Sequence, residues 1–275
     1  MYTQLSKTST EKPLTLAALG KMKRAGEKIA CLTAYDASFA RREDLAGTDL
    51  VLVGDTLGMV VQGQPSTVPV TVDDVVYHTR LVARGLARAY LVADMPFLSY
   101  VDVPTAVRNA GRMMQEGGAR MVKLEGTADQ AAIVAALAAN GIPVCAHLGL
   151  RPQAIEKLSG FRIQGREPEA AKRIIEDAHK LEGAGADIIL LECIPRALAA
   201  EIHAAVSVPV IGIGAGPDVD GQILVLYDVL DITPGRKPSF AKNFLQGTQS
   251  IQAALENYVH AVKDGSYPAA EHWFE

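Results

Sequence analysis

The sequence predicts an α/β fold of one kind, a closed (β/α)8 barrel with an extra helix at its N-terminal end, and three observations carry that expectation. Eight short runs of continuous apolarity recur along the chain, helical periodicity fills the stretches between them, and the two kinds of connection differ in length. Continuous rather than alternating apolarity marks strands covered on both faces, as in a parallel sheet. Strand and helix alternating eight times favours closing that sheet over leaving it open and doubly wound. The 275 residues are close to the ~250 typical of such a barrel, so residues 1–275 read as one domain.

The elements follow in order. "TLAALGKMK" (15–23) reads as a helix ahead of the first strand. The strands are "KIACLTAYD" (28–36), "DLVLVGD" (49–55), "AYLVADMP" (89–96), "RMVKLEG" (120–126), "IPVCAHLGL" (142–150), "DIILLECIP" (187–195), "VPVIGIGAG" (208–216) and, with the weakest signal, "QILVLYDV" (222–229). Between them, Ala106, Val107, Ala110 and Met113 follow Pro104, while Ile174, Ile175, Ala178 and Leu181 follow Pro168, each set on one helical face behind a starting proline. Thr127 to Gln130 has the spacing of a capping box ahead of Ile133, Val134 and Leu137. "IQAALENYVHAV" (251–262) reads as a closing helix.

Loop lengths orient the barrel. Helix-to-strand turns are short and glycine-rich: "EGGA" (116–119), "NG" (140–141) and "GAGA" (183–186). The strand-to-helix stretches 56–71 and 151–167 are far too long for mere connectors, so function is expected on the face where strands end.

Composition narrows the partners. Apolar residues make up 49% of the chain and the net charge is −4 with both signs interspersed, which gives no footprint for nucleic acid or a membrane surface. "MYTQLSKTSTEKP" is too polar for a signal peptide, and no apolar run approaches the ~20 residues of a membrane span, so a cytoplasmic location is expected. Cys31, Cys145 and Cys193 are widely spaced within or beside apolar runs and read as buried reduced thiols; no CxxC pair suggests zinc.

The last residues of the strands carry the chemistry: Asp36, Asp55, Asp94, Lys123 with Glu125, His147, and Glu192. In a barrel these point toward one rim. Asp36 alone reads as a cap for the next helix. Several carboxylates on a poorly solvated rim repel one another and raise each other's pKa unless a cation intervenes. Asp55, Asp94 and Glu125 offer only oxygen, which suits a hard ion such as Mg²⁺, and Lys123, sharing strand parity with Glu125, offsets the charge left over. His147 is open between an active-site role and a hydrogen-bonded core histidine. The glycines of "GIGAG" (212–216) lack dinucleotide-binding spacing and read as a tight turn over substrate, with a phosphate nest as the other use.

The stretches "LVGDTLGMVVQG", "YHTRLV", "LVADMPF", "MVKLEG", "HLGLRPQ", "GFRIQGR", "LLECIP", "PVIGIGAG", "DGQILV", "FAKNF" and "YPAAEHWF" occur in this order. From about Thr15 to Phe274 the chain thereby resembles the ketopantoate hydroxymethyltransferase family. The resemblance implies a barrel of the phosphoenolpyruvate/pyruvate type that transfers a hydroxymethyl group from 5,10-methylenetetrahydrofolate to 3-methyl-2-oxobutanoate. It also implies a large homo-oligomer, often a decamer. It places metal ligands at Asp55, Asp94 and Glu125, substrate-binding positions at Asp55, Thr56, Asp94 and Lys123, the proton acceptor at Glu192 and the active-site histidine at His147. Thr56 departs from the family's usual Ser, and Asp231 from its usual Gly. The rival reading is another magnesium-dependent 2-oxo-acid lyase or mutase barrel of the isocitrate lyase type, whose Lys-Lys-Cys-Gly-His loop this chain lacks.

Overall fold

A computed structural model describes residues 12–158, 160–235 and 237–275. Helix α1 (Leu16–Ala25) starts where the Thr15 side chain accepts a hydrogen bond from the Ala18 amide and stops at Gly26, whose φ of +68° is the left-handed turn glycine adopts freely. It precedes the first strand. The eight strands β1 (Ile29–Thr33), β2 (Leu50–Val53), β3 (Tyr90–Asp94), β4 (Met121–Glu125), β5 (Val144–Gly149), β6 (Ile188–Glu192), β7 (Val210–Ile213) and β8 (Gly221–Leu224) pair in parallel, in chain order, and β8 closes on β1.

Around the barrel run α2 (Ala37–Leu45), α3 (Leu57–Val60) with α4 (Val72–Gly85), α5 (Val103–Gln115), α6 (Ala131–Ala139), α7 (Ile155–Leu158) with α8 (Pro168–Gly183), and α9 (Arg196–Ala205). After β8 come the short α10 (Leu226–Val229) and the closing α11 (Ile251–Asp264). Strand parity divides the core in two. Ile29, Cys31, Leu50, Tyr90, Met121 and Ile188 fill the barrel interior together with Leu19 and Met22 of α1, which pack into this cluster. Val51, Leu91, Val122, Ala146 and Ile189 face outward, under the helices. The filled interior leaves a void of only about 10 Å³, so the lower barrel is solid.

Three sequence expectations need correction. The eighth apolar run is half strand, half helix: β8 ends at Leu224 and residues 226–229 form α10, whose first amide donates to Thr33 Oγ1 at 3.1 Å. Periodicity cannot separate a short buried strand from a buried helical turn. The seventh crossover, 214–220, has no helix; it returns to the base as loop, and Lys28 Nζ donates to two of its carbonyls, Pro217 O at 2.9 Å and Val219 O at 2.5 Å. Thr127 makes no capping box, because its hydroxyl accepts from Asp129 in a 3₁₀ turn and the regular helix begins only at Ala131.

Candidate active site at the barrel mouth

Parallel register explains why residues distant in sequence meet at the mouth. Asp94 is paired with Lys123, and Glu125 with His147, on adjacent strands. Glu192 lies one inward position beyond Leu190, the strand partner of His147, which places it in the next layer up. At its level β5 offers Gly149, with φ of +90°; a Cβ there would stand 2.2 Å from Glu192 O, so only glycine lets β5 and β6 approach this closely. The carboxylate at the exit of an apolar strand is therefore an inward side chain of the top layer.

Lys123 organises the acids. Its Nζ donates to Asp94 Oδ1 at 2.7 Å and Oδ2 at 2.8 Å, and lies 3.7 Å from Glu125 Oε1. Burial alone would lower its pKa, but Asp94, Glu125 and Asp55 outweigh that and hold the ammonium charged. Burial pushes Asp55 well up, and the Asp94 charge adds to it. Asp94 is also raised by burial, against the pull of Lys123. Burial acts upward on Glu125 too, yet Lys123 and His147 prevail and keep it below the usual carboxylate value. His147 sits between two acids, Nδ1 3.6 Å from Glu125 Oε1 and Nε2 3.3 Å from Glu192 Oε2. Neither contact is aligned as a hydrogen bond, so the ring is held by charge. Burial and Lys123 lower its pKa, but the two glutamates win and raise it.

The sequence left Gln153 and Tyr100 unassigned, and they tie the cluster together. Gln153 Nε2 donates to Asp55 Oδ2 and to Met95 O, both at 2.9 Å, and its backbone amide donates to Glu125 Oε2 at 3.0 Å. The Tyr100 hydroxyl donates to Gln153 Oε1 at 2.6 Å, with the Glu125 carbonyl at 3.0 Å. The only hint in sequence was a polar residue early in the long 151–167 loop. Asp36, in contrast, caps α2 through Ser38 and Phe39, as its position suggested.

The expected metal ligands Asp55, Asp94 and Glu125 share this buried cluster, but they do not form a ready coordination shell. Both Asp94 oxygens hold Lys123, one Asp55 oxygen holds Gln153, and among the described residues no three His, Cys, Asp or Glu side chains stand at metal-ligating separation. The donor chemistry still fits a hard cation. All three offer oxygen, Glu125 Oε1 is buried with no hydrogen-bond partner among the described residues, and the burial and Asp94 charge that lift Asp55 are what a second cation would offset.

Above the cluster opens a cavity of about 990 Å³. Thr56 faces it at the start of α3 with no side-chain cap bond, and Glu192, 15% exposed, reaches it from the opposite side. Cys193, just after Glu192, has a φ of +49°, an arrangement that costs a non-glycine residue about 1–3 kcal/mol. Its amide donates to Ile213 O and its carbonyl accepts from Gln164, both at 2.9 Å, so the strained turn is anchored to β7 and to the long loop. The three cysteines are free and buried, and burial pushes the Cys145 thiol up to about 12. Gly214 and Gly216 do make a tight turn beside the cavity, with φ of +61° and +85°. Asp231, where the resembled family has Gly, also has a positive φ, +57°, and is held by Asn243 and Lys237.

Relatives called 3-methyl-2-oxobutanoate hydroxymethyltransferase include one from Alkalilimnicola ehrlichii, 57% identical over 96% of each chain, and one from Halorhodospira halophila, 56% identical over 95% of each. Among solved structures, a putative phosphonomutase from Burkholderia cenocepacia J2315 superposes with a TM-score of 0.63 at 17% identity over 79% of this chain and 95% of its own. A 2,3-dimethylmalate lyase of the PEP mutase/isocitrate lyase superfamily gives 0.56 at 18% identity over 77% and 81%. These two share the barrel fold. Residues 13–270 match the family described as ketopantoate hydroxymethyltransferase, and the chain belongs to that family.

Proposed function

We propose that this chain transfers a hydroxymethyl group from 5,10-methylenetetrahydrofolate to 3-methyl-2-oxobutanoate, giving 2-dehydropantoate (ketopantoate) for pantothenate and coenzyme A synthesis. The names of its relatives support the reaction. The observation that carries the mechanism is the unequal treatment of the acids: Lys123 engages Asp94 and Glu125, while Glu192 faces the cavity and, among the described residues, is paired with no lysine or arginine and with His147 alone.

Asp55, Asp94 and Glu125 are the residues that would hold a divalent ion, magnesium in this reading, which when bound supplies polarisation of the substrate's oxo group and so acidifies the neighbouring C3–H. Lys123 offsets the substrate's negative charge, and the Thr56 hydroxyl is free to donate to its carboxylate. Glu192 takes the C3 proton, and His147, 3.3 Å away, keeps that carboxylate in place and shares the proton's charge. Water cleaves the methylene bridge of the folate, breaking both of its C–N bonds, so that tetrahydrofolate leaves and the carbon is released at the formaldehyde level; the enolate carbon adds to it, and the alkoxide formed takes the proton from Glu192 to give the hydroxymethyl group. The packed lower barrel, with its void of about 10 Å³, shuts water out from below.

This reading includes a homodecamer, as the family resemblance implies, and a cytoplasmic location, as expected from the polar stretch 1–13. Among the described residues, no helix is long and apolar enough to cross a membrane. The isocitrate lyase alternative is not favoured, since its superfamily shares the barrel fold at 18% identity while relatives at 56–57% identity carry the hydroxymethyltransferase name.

The test is exchange of the C3 proton of 3-methyl-2-oxobutanoate in deuterated water with magnesium present. The wild type is expected to exchange it, and Glu192→Gln to slow exchange by at least ~10² while the oxo acid still binds. Undiminished exchange in the variant removes Glu192 from the base role, and none in folded wild-type protein removes the mechanism.

A further inference from the structure

A cavity of about 990 Å³ leaves room for a second ligand much larger than a five-carbon oxo acid. Its two sides differ. The polar cluster comes from the ends of β2 to β6, whereas β7, the segment after β8 and the C-terminal tail supply Ile213, Phe240 and Phe274, with Asp228 the one acid on that wall among the described residues.

This second wall is built and fixed. The Phe240 carbonyl accepts from the Tyr267 hydroxyl at 2.6 Å, and the Phe274 carbonyl accepts from the Arg196 amide at 2.8 Å, pinning the tail beside Pro195. Both rings flank the Gly214 turn: a Cβ there would stand 2.8 Å from Phe240 and 3.1 Å from Phe274. Asp228 is half-buried and its carboxylate takes no hydrogen bond from the described residues. Burial pushes its pKa up against the pull of Lys237, the nearby cation, which is itself paired with Asp231.

A wall that combines the partly exposed Phe274, the largely buried Phe240 and an unpaired carboxylate suits a flat heterocycle that presents adjacent N–H groups along one edge, since a carboxylate accepts two parallel hydrogen bonds from such an edge. It does not suit the oxo acid, whose own carboxylate Asp228 repels. The wall also lies on the side where transfer must occur, because Ile213 is the strand partner of Glu192. We infer that this wall seats the pterin of methylenetetrahydrofolate, with Asp228 accepting from its amino-pyrimidinone edge and Phe240 and Phe274 packing against its faces, an inference that rests on the function proposed above.

The test uses the magnesium-loaded full chain. Asp228→Asn sets a donor against the pterin's donors, so the KM for methylenetetrahydrofolate should rise at least ~10-fold while that for 3-methyl-2-oxobutanoate stays within ~2-fold. Phe274→Leu, which leaves the backbone anchors of the tail intact, should weaken binding of tetrahydrofolate by about 3- to 10-fold by calorimetry, and carries the test alone if Asp228→Asn fails to fold. An unchanged folate KM in Asp228→Asn, equal rises in both KM values, or unchanged tetrahydrofolate affinity in Phe274→Leu overturns the assignment. Wild-type C3–H exchange separates the two readings: if exchange occurs and the variants behave like wild type, only the pterin seat is wrong.

Discussion

Glu125 at the barrel mouth and Glu43 on the inner side of α2 are the same side chain in two regions, both removed from water, and they end in opposite states. Glu125 has Lys123, His147 and the Gln153 amide around it, and its pKa is held below the usual value despite burial. Among the described residues Glu43 has no hydrogen-bond partner on either oxygen, and burial, with the Asp36 charge adding to it, pushes its pKa well up. An acid kept ionised out of water marks a place where cations and donors have been assembled. An acid buried alone is a cost to the fold with no counterpart in binding.

The largest effect should come from breaking the assembly on the first side of that comparison. Lys123→Met leaves Asp94 with the Asp55 amide, at 3.2 Å, as its one remaining partner among the described residues, and removes the ammonium 3.7 Å from Glu125. Removing one member of a buried ion pair typically costs about 3–5 kcal/mol, so urea unfolding of the metal-free protein should show a loss of that size, together with loss of C3–H exchange. A loss under about 1 kcal/mol would mean that the mouth is wetter than its burial indicates and that Glu125 and Glu43 are not comparable.

On the other side the sign reverses. Glu43→Leu removes two unsatisfied oxygens at little change in volume and should stabilise the protein by about 1–3 kcal/mol at neutral pH. The pH dependence follows from the raised folded-state pKa. Folding favours the protonated form, so the stability this group lends is complete below its unfolded value of ~4.3 and is lost as pH rises toward the folded value. The Tm advantage of Glu43→Leu should therefore grow as pH rises above about 4.5, since the other carboxylates are common to both proteins. A constant difference across pH would show that Glu43 does not titrate abnormally.

This contrast also explains what could be read from the sequence. The strands were legible because each is a continuous apolar run, and the inward acids were legible because Lys123, Glu125 and Glu192 interrupt such runs at their ends. Glu43 was not, since it sits in "ARREDL", where helical charge normally means an outward face. Neither was Asp44, two of whose oxygen contacts are the amides of Arg88 and Ala89, at 2.9 and 2.8 Å, across a helix-to-strand turn. Gln153 sits in a loop without periodicity, and its place between Asp55 and Glu125 depends on tertiary approach alone. The residues of helix α10 were read as strand for a related reason: "LYDV" is equally apolar as strand or helical turn, and the Thr33 hydroxyl that starts the turn is some 190 residues away.

The smallest effect tests the comparison with one substitution made twice. Thr48, in the turn after α2, has a buried hydroxyl with no partner, whereas the Thr56 hydroxyl faces the cavity and makes no hydrogen bond within the protein among the described residues. If the absence of a partner means wasted polarity in the first place and a ligand in the second, Val should act oppositely at the two sites. Thr48→Val should leave KM unchanged and raise stability by up to about 1 kcal/mol, the order of a desolvation penalty no longer incurred. Thr56→Val should leave stability within about 0.5 kcal/mol, as surface changes do, yet raise the KM for 3-methyl-2-oxobutanoate about 10-fold, the loss expected for a hydrogen bond to a charged group. Thr56→Ser keeps the hydroxyl and should stay within about 2-fold of wild type, so the methyl that distinguishes this chain from the resembled family's Ser is a matter of fit. Equal KM changes for Ser and Val would assign the effect to shape and remove Thr56 from substrate binding.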